Sequence, residues 1–131
     1  RILPRLDDSG IVHIPLSLPD DEMIIDRLNI YDENVVAKIW LRIFDEIYSK
    51  KELCVLQLHP ERFHLLKNAL KIVLDKVSKY KDVWFPTFKE ISDWVQKDNF
   101  HEDSFWPENY NCAFVVSGDI DVISLSDYRY M

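Results

Sequence analysis

His59 closes an apolar run, Glu52-Leu53-Cys54-Val55-Leu56-Gln57-Leu58-His59, and Pro60-Glu61-Arg62 follow at once. That is the pattern of a buried parallel strand that delivers a side chain at its carboxyl end and then hands over to a helix. Catalytic groups in α/β folds sit at such strand ends. An imidazole there titrates near neutrality and can serve as general acid or base. The plainer role for the same residue is a helix cap or a hydrogen-bonded core histidine. Asp20 and Asp21 follow an earlier apolar segment and can face the same side as His59. Such a pair can bind a metal or orient a histidine, or it can simply start a helix from a solvated loop.

The other chemistry-bearing residues are weaker candidates. His64 stands on the helix after His59, without the HExxH or HxxxH spacing of a metal site. His13 belongs to an early strand, and His101 lies in a polar loop beside Glu102 and Asp103. Phe105 and Trp106 look exposed in that loop and could offer a platform for a sugar ring, but core or interface packing is the commoner role of such aromatics. Cys54 sits in the apolar run as a small hydrophobe, and neither Cys54 nor Cys112 has the electropositive setting of a reactive thiol. No serine occupies a GxSxG elbow.

The elements that must position these groups alternate. Residues 11–16 read as a short strand, followed by the acidic, proline-containing loop that carries Asp20 and Asp21. Residues 23–28 read as a short helix. Asn34 caps a longer one, in which Val36, Ile39, Trp40, Ile43, Phe44 and Ile47 recur at helical spacing. Residues 53–58 form the second strand, and Pro60 fits the first turn of a helix with Phe63, Leu66, Leu70, Val73 and Val77 on one stripe. Residues 83–86 form a third strand. Thr87 and Glu90 make a capping box for a helix whose inner face holds Ile91, Trp94 and Val95. Residues 113–116 and 122–125 are two late strands, joined as a hairpin by Ser117-Gly118-Asp119. The order predicts an α/β fold of parallel βαβ units with a carboxyl-terminal hairpin.

Composition narrows the function. The 131 residues suit one domain, and 47% hydrophobic content is globular. Only two glycines occur, so neither a GxGxxG turn nor a P-loop can be written. A net charge of −7 argues against nucleic acid as the main partner. No apolar run approaches the length of a membrane span, and no signal-peptide pattern is seen. The compartment stays open, with the cytoplasm favoured.

The Glu52–Arg62 run, taken with Val83-Trp84-Phe85-Pro86-Thr87-Phe88-Lys89-Glu90-Ile91, resembles the carboxyl-terminal part of polysaccharide deacetylases of the NodB-homology family. Ile11-Val12-His13-Ile14-Pro15-Leu16 is similar to that family's short strand before its substrate loop. The resemblance implies that residues 1–131 form the carboxyl-terminal portion of a larger (β/α) barrel. It implies hydrolysis of a carbon–nitrogen amide bond in an N-acetylated glycan, with His59 as the acid that protonates the leaving amine. Asp20, Asp21, Gln57 and Trp106 would then meet substrate. It further implies a divalent, zinc-type metal held by an aspartate and two histidines early in the domain, with a second aspartate as base. Those motifs are not among these residues, so the chain alone is expected to bind no such metal and to be inactive. Gln57 stands where the family has a leucine lining the acetyl pocket, and the family's mid-domain Trp and Asp have no match near Asp20 and Asp21. Two other readings stand beside this one. The chain can be a non-catalytic glycan- or protein-binding module acting through Trp106, Phe105 and the acidic loop. It can also be an unrelated α/β domain in which His59 is structural.

Overall fold

The computed structural model describes residues 1–97 and 105–119. Three parallel strands make the central sheet: β3 (Leu53–Leu58), β4 (Val83–Trp84) and β5 (Cys112–Gly118), in the order β3-β5-β4. β5 is the middle strand. Its register sets Leu53 opposite Ala113 and Leu58 opposite Gly118 on one side, and Trp84 opposite Ala113 on the other. The expected parallel α/β arrangement is therefore present, as an open sheet and not a closed barrel. In a (β/α) barrel, successive strands are neighbours; here β5 separates β3 from β4.

Alternation along the strands makes two cores. Cys54, Leu56 and Phe114 face the helices α1 (Glu33–Ser49) and α2 (Phe63–Val77), where they meet Trp40, Phe44, Leu66, Val73 and Val77. Phe44 is the hub of that layer, with ring centroids 5.9 Å from Phe114 and 5.4 Å from Tyr80. Leu53, Val55, Ala113 and Val115 face α3 (Phe88–Gln96) through Ile91 and Val95. A strand covered on both faces reads as a continuous apolar run, which is what made β3 legible.

Local chemistry fixes the helix ends. The Thr87–Glu90 capping box starts α3, as its sequence predicts. Asp32, and not Asn34, caps α1: its carboxylate accepts the N–H groups of Asn34 (2.9 Å) and Val35 (3.4 Å). The helix of residues 23–28 is present as a single wide turn, Glu22–Arg27. Glu33 reaches from α1 into α2, where it accepts from the backbone of Asn68 (2.6 Å) and Ala69 (2.9 Å) and so clamps the two helices together.

The amino-terminal region differs most from expectation. Residues 11–16 contribute only a two-residue strand, β2 (Val12–His13), antiparallel to β1 (Arg5–Leu6). Asp7 organises the turn between them by accepting from Ser9 N (2.9 Å), Ser9 Oγ (2.6 Å) and Ile11 N (3.0 Å), while Gly10 takes a left-handed φ of 88°. The chain on either side then covers the outer edge of β3. Leu53 N donates to Ile2 O (2.8 Å), Leu18 N donates to Val55 O (3.1 Å), and Val55 N donates to Ser17 Oγ (2.6 Å).

The expected late hairpin is not formed by its first strand. β5 runs through Ser117 and Gly118, which pair with Gln57 and Leu58, and Asp119 N still donates to Leu58 O (2.9 Å). A turn was expected at Ser117-Gly118-Asp119 because glycine and aspartate favour turns; here pairing with β3 outweighs that preference. Residues 122–125 lie outside the described residues. Among the described residues, no helix is long and apolar enough to cross a membrane.

Cys54 and Cys112 lie buried in adjacent strands. Burial pushes the Cys112 thiol up to about 12 and raises that of Cys54 as well, so neither forms a thiolate near neutrality. In the folded protein at pH 8, both thiols should react with a thiol reagent only as fast as the domain opens. Labelling should rise with urea in step with the loss of tryptophan fluorescence. Rapid labelling without denaturant would mean that the β3–β5 seam is not closed.

Candidate functional site

His59 leaves the end of β3 in extended conformation, and Pro60 opens a short helical turn, Pro60–Arg62, that leads into α2. Proline costs nothing at this first position, because its missing N–H would have had no helical partner. The turn directs the His59 ring back over the strand end, where the residue is buried at 3% exposure.

Asp21 arrives from the loop beside β3. Trp40 of α1 donates to Pro19 O (2.8 Å) and Leu18 pairs with Val55, so the loop is tied on two sides before it reaches the aspartate. Asp21 is fully buried, and three donors converge on its carboxylate. Oδ2 accepts His59 N at 2.7 Å. Oδ1 meets His59 Nδ1 at 2.6 Å and Glu22 N at 2.9 Å. An ionised carboxylate only accepts, so Nδ1 carries the proton of the shared bond. Arg62 adds a second brace: Nη2 lies 2.6 Å from Asp26 Oδ2 and ties the turn after His59 to the helix after Asp21.

A buried carboxylate beside a histidine ring holds the ring in one tautomer and one orientation. On the other side of the ring, Nε2 lies 3.9 Å from Asp119 Oδ2, close enough for attraction but too far for a hydrogen bond. Asp119 is the functional residue that sequence reasoning missed, because it was assigned to a turn. His59 also forms part of the wall of an apolar cavity of about 330 Å³, together with Leu58, Phe63, Leu70 and Val116.

The other expected site residues sort as follows. Asp20 lies beside Asp21, but its carboxylate starts the Glu22–Arg27 helix by accepting Met23 N at 2.8 Å. Gln57 reaches Asp119 through a long contact of 3.5 Å. Trp106 takes the packing role and not that of a sugar platform: it is 3% exposed, and its Nε1 donates to Lys51 O (3.1 Å) at the opposite end of β3 from His59. It is a core residue because its large ring fills the space between the sheet and Trp84 and Phe105. Phe105 is partly buried against the same layer. His13 is exposed and pairs with Asp7 at 2.7 Å, and His64 is exposed on α2. His101 lies outside the described residues.

Asp20, Asp21 and His59 bring one ligand atom each within 4.8 Å of one another, the spacing of a candidate metal site. The donor set fits a hydrogen-bonded pair better. Both Asp21 oxygens already accept N–H donors, and the His59 Nδ1 that would face a cation is the atom engaged by Asp21. Metal binding there would strip the ring N–H and leave two backbone N–H groups competing with a cation for one carboxylate.

The fold and site define an open parallel α/β domain with a buried carboxylate–histidine pair at a strand's carboxyl end. Comparison with protein families, with curated proteins and with solved structures finds no match to this chain.

Replacing Asp21 by Ala strands the His59 ring and its backbone N–H, so it should destabilise the domain by roughly 3–5 kcal/mol in urea unfolding. Asp20→Ala removes only a helix cap and should cost about 1 kcal/mol. Equal losses would mean that the loop, and not the pair, is what Asp21 maintains.

Proposed function

We propose that this chain carries the general acid of a polysaccharide N-deacylase, with His59 as the acid and Asp21 as the residue that orients it. The observation that supports this reading is the 2.6 Å Asp21–His59 bond, buried at the end of a parallel strand and beside a cavity. In this reading the likeness to the NodB-homology family lies in the strand-end site alone, because the β3-β5-β4 order is not that of successive barrel strands. The divalent metal and its activated water belong to residues outside this chain, so the chemistry of these residues begins at the leaving group.

When the carbon–nitrogen bond of the tetrahedral adduct breaks, its electron pair passes to the sugar nitrogen. His59 Nε2–H gives that nitrogen its proton, and the amine departs neutral. The ring is left as the neutral tautomer with its proton on Nδ1, still held by Asp21. General-acid assistance of this kind is worth roughly 10²–10⁴-fold in rate. Gln57, 3.5 Å from Asp119, serves in this reading as a polar group toward substrate, while the Asp20 carboxylate stays committed to Met23 N. An alternative reading, a non-catalytic binding module, leaves the pair as a structural device.

The test uses the longest natural form of the protein and an N-acetylglucosamine oligomer, with release of free amine as the readout. His59→Ala should lower kcat by about 10²–10⁴-fold with an unchanged circular dichroism spectrum. Asp21→Asn should lower kcat as well, because the ring loses the carboxylate that orients it. Activity indifferent to His59→Ala would overturn the acid role, and absence of amine release from the wild type would overturn the deacylase reading.

A further inference from the structure

A second cavity lies away from His59. It has a volume of about 440 Å³, in the size range of small-ligand sites, and opens between α3, β4 and the turn Pro107–Asn109. Trp84 pairs opposite Ala113 and Leu58 opposite Gly118, five residues along β5, so this cavity sits roughly 16 Å from the strand end that carries His59.

Its lining combines flat aromatic surface with acid. Trp84 and Tyr110 are near-parallel, at 15° with centroids 6.3 Å apart, and Trp94 completes the aromatic lining. The tryptophans are held in place: Trp94 Nε1 donates to Phe105 O at 2.8 Å, and Trp84 rests against buried Trp106. Glu90, Asp93 and Glu108 line the same cavity, against one basic lining residue among the described residues, Lys97. Glu90 is fixed by the α3 capping box and Asp93 by Lys89 at 2.7 Å. At the rim, Glu108 and Asn109 are consecutive non-glycine residues with left-handed φ values of 52° and 64°. Strained backbone of this kind gathers at sites where a side chain must be presented in one direction.

We propose that this groove binds a cationic saccharide, a sugar chain bearing free amino groups. The apolar face of a pyranose packs on parallel aromatic rings, whereas a simple ammonium ion is best held by rings that enclose it from several sides. The excess of carboxylates selects for positive charge and lowers affinity for an acidic glycan. The site shares no residue with the Asp21–His59 pair and stands on its own observations. It suits the product of the reaction proposed above, an amino sugar, without depending on that reaction.

The test is calorimetric titration of the whole chain with a glucosamine tetramer, with an N-acetylglucosamine tetramer and with tetralysine. The glucosamine tetramer should bind several-fold more tightly than the N-acetylated one, and salt should weaken it. Tyr110→Ala should weaken binding by at least about tenfold. Tyr110→Leu, which keeps apolar bulk and loses the flat ring, should do the same if the alanine variant is unstable. Glu108→Gln should reduce the preference for the charged oligomer. Binding is read without amine release, so a failed deacylase assay and a failed groove are separable. The proposal is overturned by no binding up to about 10 mM, by binding insensitive to both Tyr110 variants, or by tetralysine binding as tightly as the glucosamine tetramer.

Discussion

The carboxylate of Asp21 is fully buried, and the surrounding fold has to make that tolerable. An ionised group withdrawn from water costs several kcal/mol unless donors replace its hydration. Three N–H groups do so here, and two of them belong to His59, 38 residues away in the chain. Aiming those donors requires that β3 end where it does and that the chain turn at Pro60. The loop before Asp21 must also lie flat against the edge of β3. Ser17, Leu18 and Pro19 each make the hydrogen bond that keeps it there. The same loop covers backbone groups that a strand edge would otherwise leave open. Positioning the dyad and closing the sheet edge are therefore one structural solution.

The central place of β5 explains how one small domain accommodates two distinct sites. Strand β5 pairs with the whole length of β3 from Ala113 onward, and with β4 only at its beginning. At its end, Gly118 and Asp119 continue along β3 and bring a carboxylate to the His59 side. At its start, the chain from Trp106 to Tyr110 wraps against Trp84 and shapes the aromatic groove. The groove's floor and the dyad are thus set by opposite ends of the same strand, and neither intrudes on the packing of the other.

How much of this was legible in the sequence follows from how local each interaction is. β3, the Pro60 turn and the Thr87–Glu90 box were readable because each depends on neighbours within a few residues. Asp21 was visible as a candidate partner of His59, but its distinction from Asp20 was not. Asp20 caps a helix through its own backbone neighbourhood, while Asp21 turns inward to a strand met much later in the chain. Trp106 has polar neighbours that suggest exposure, yet it takes the packing role that is commoner for such a ring. Its burial depends on Trp84 and on Lys51, both distant in sequence. Asp119 was hidden for the converse reason: Ser117-Gly118 has turn composition, yet pairing with Gln57 and Leu58 keeps it extended.

The geometry of the pair also gives the two faces of the ring different environments. Asp21, fully buried, engages Nδ1, so that nitrogen is committed to the interior of the domain. Nε2 faces the side on which Asp119 stands, with that side chain 54% exposed. A half-solvated carboxylate at 3.9 Å attracts the imidazolium without capturing its proton in a short bond. The buried acid thus orients the ring and the exposed acid steadies its charge. The burial of Asp21 and the exposure of Asp119 are therefore as much a part of the site as the residues themselves.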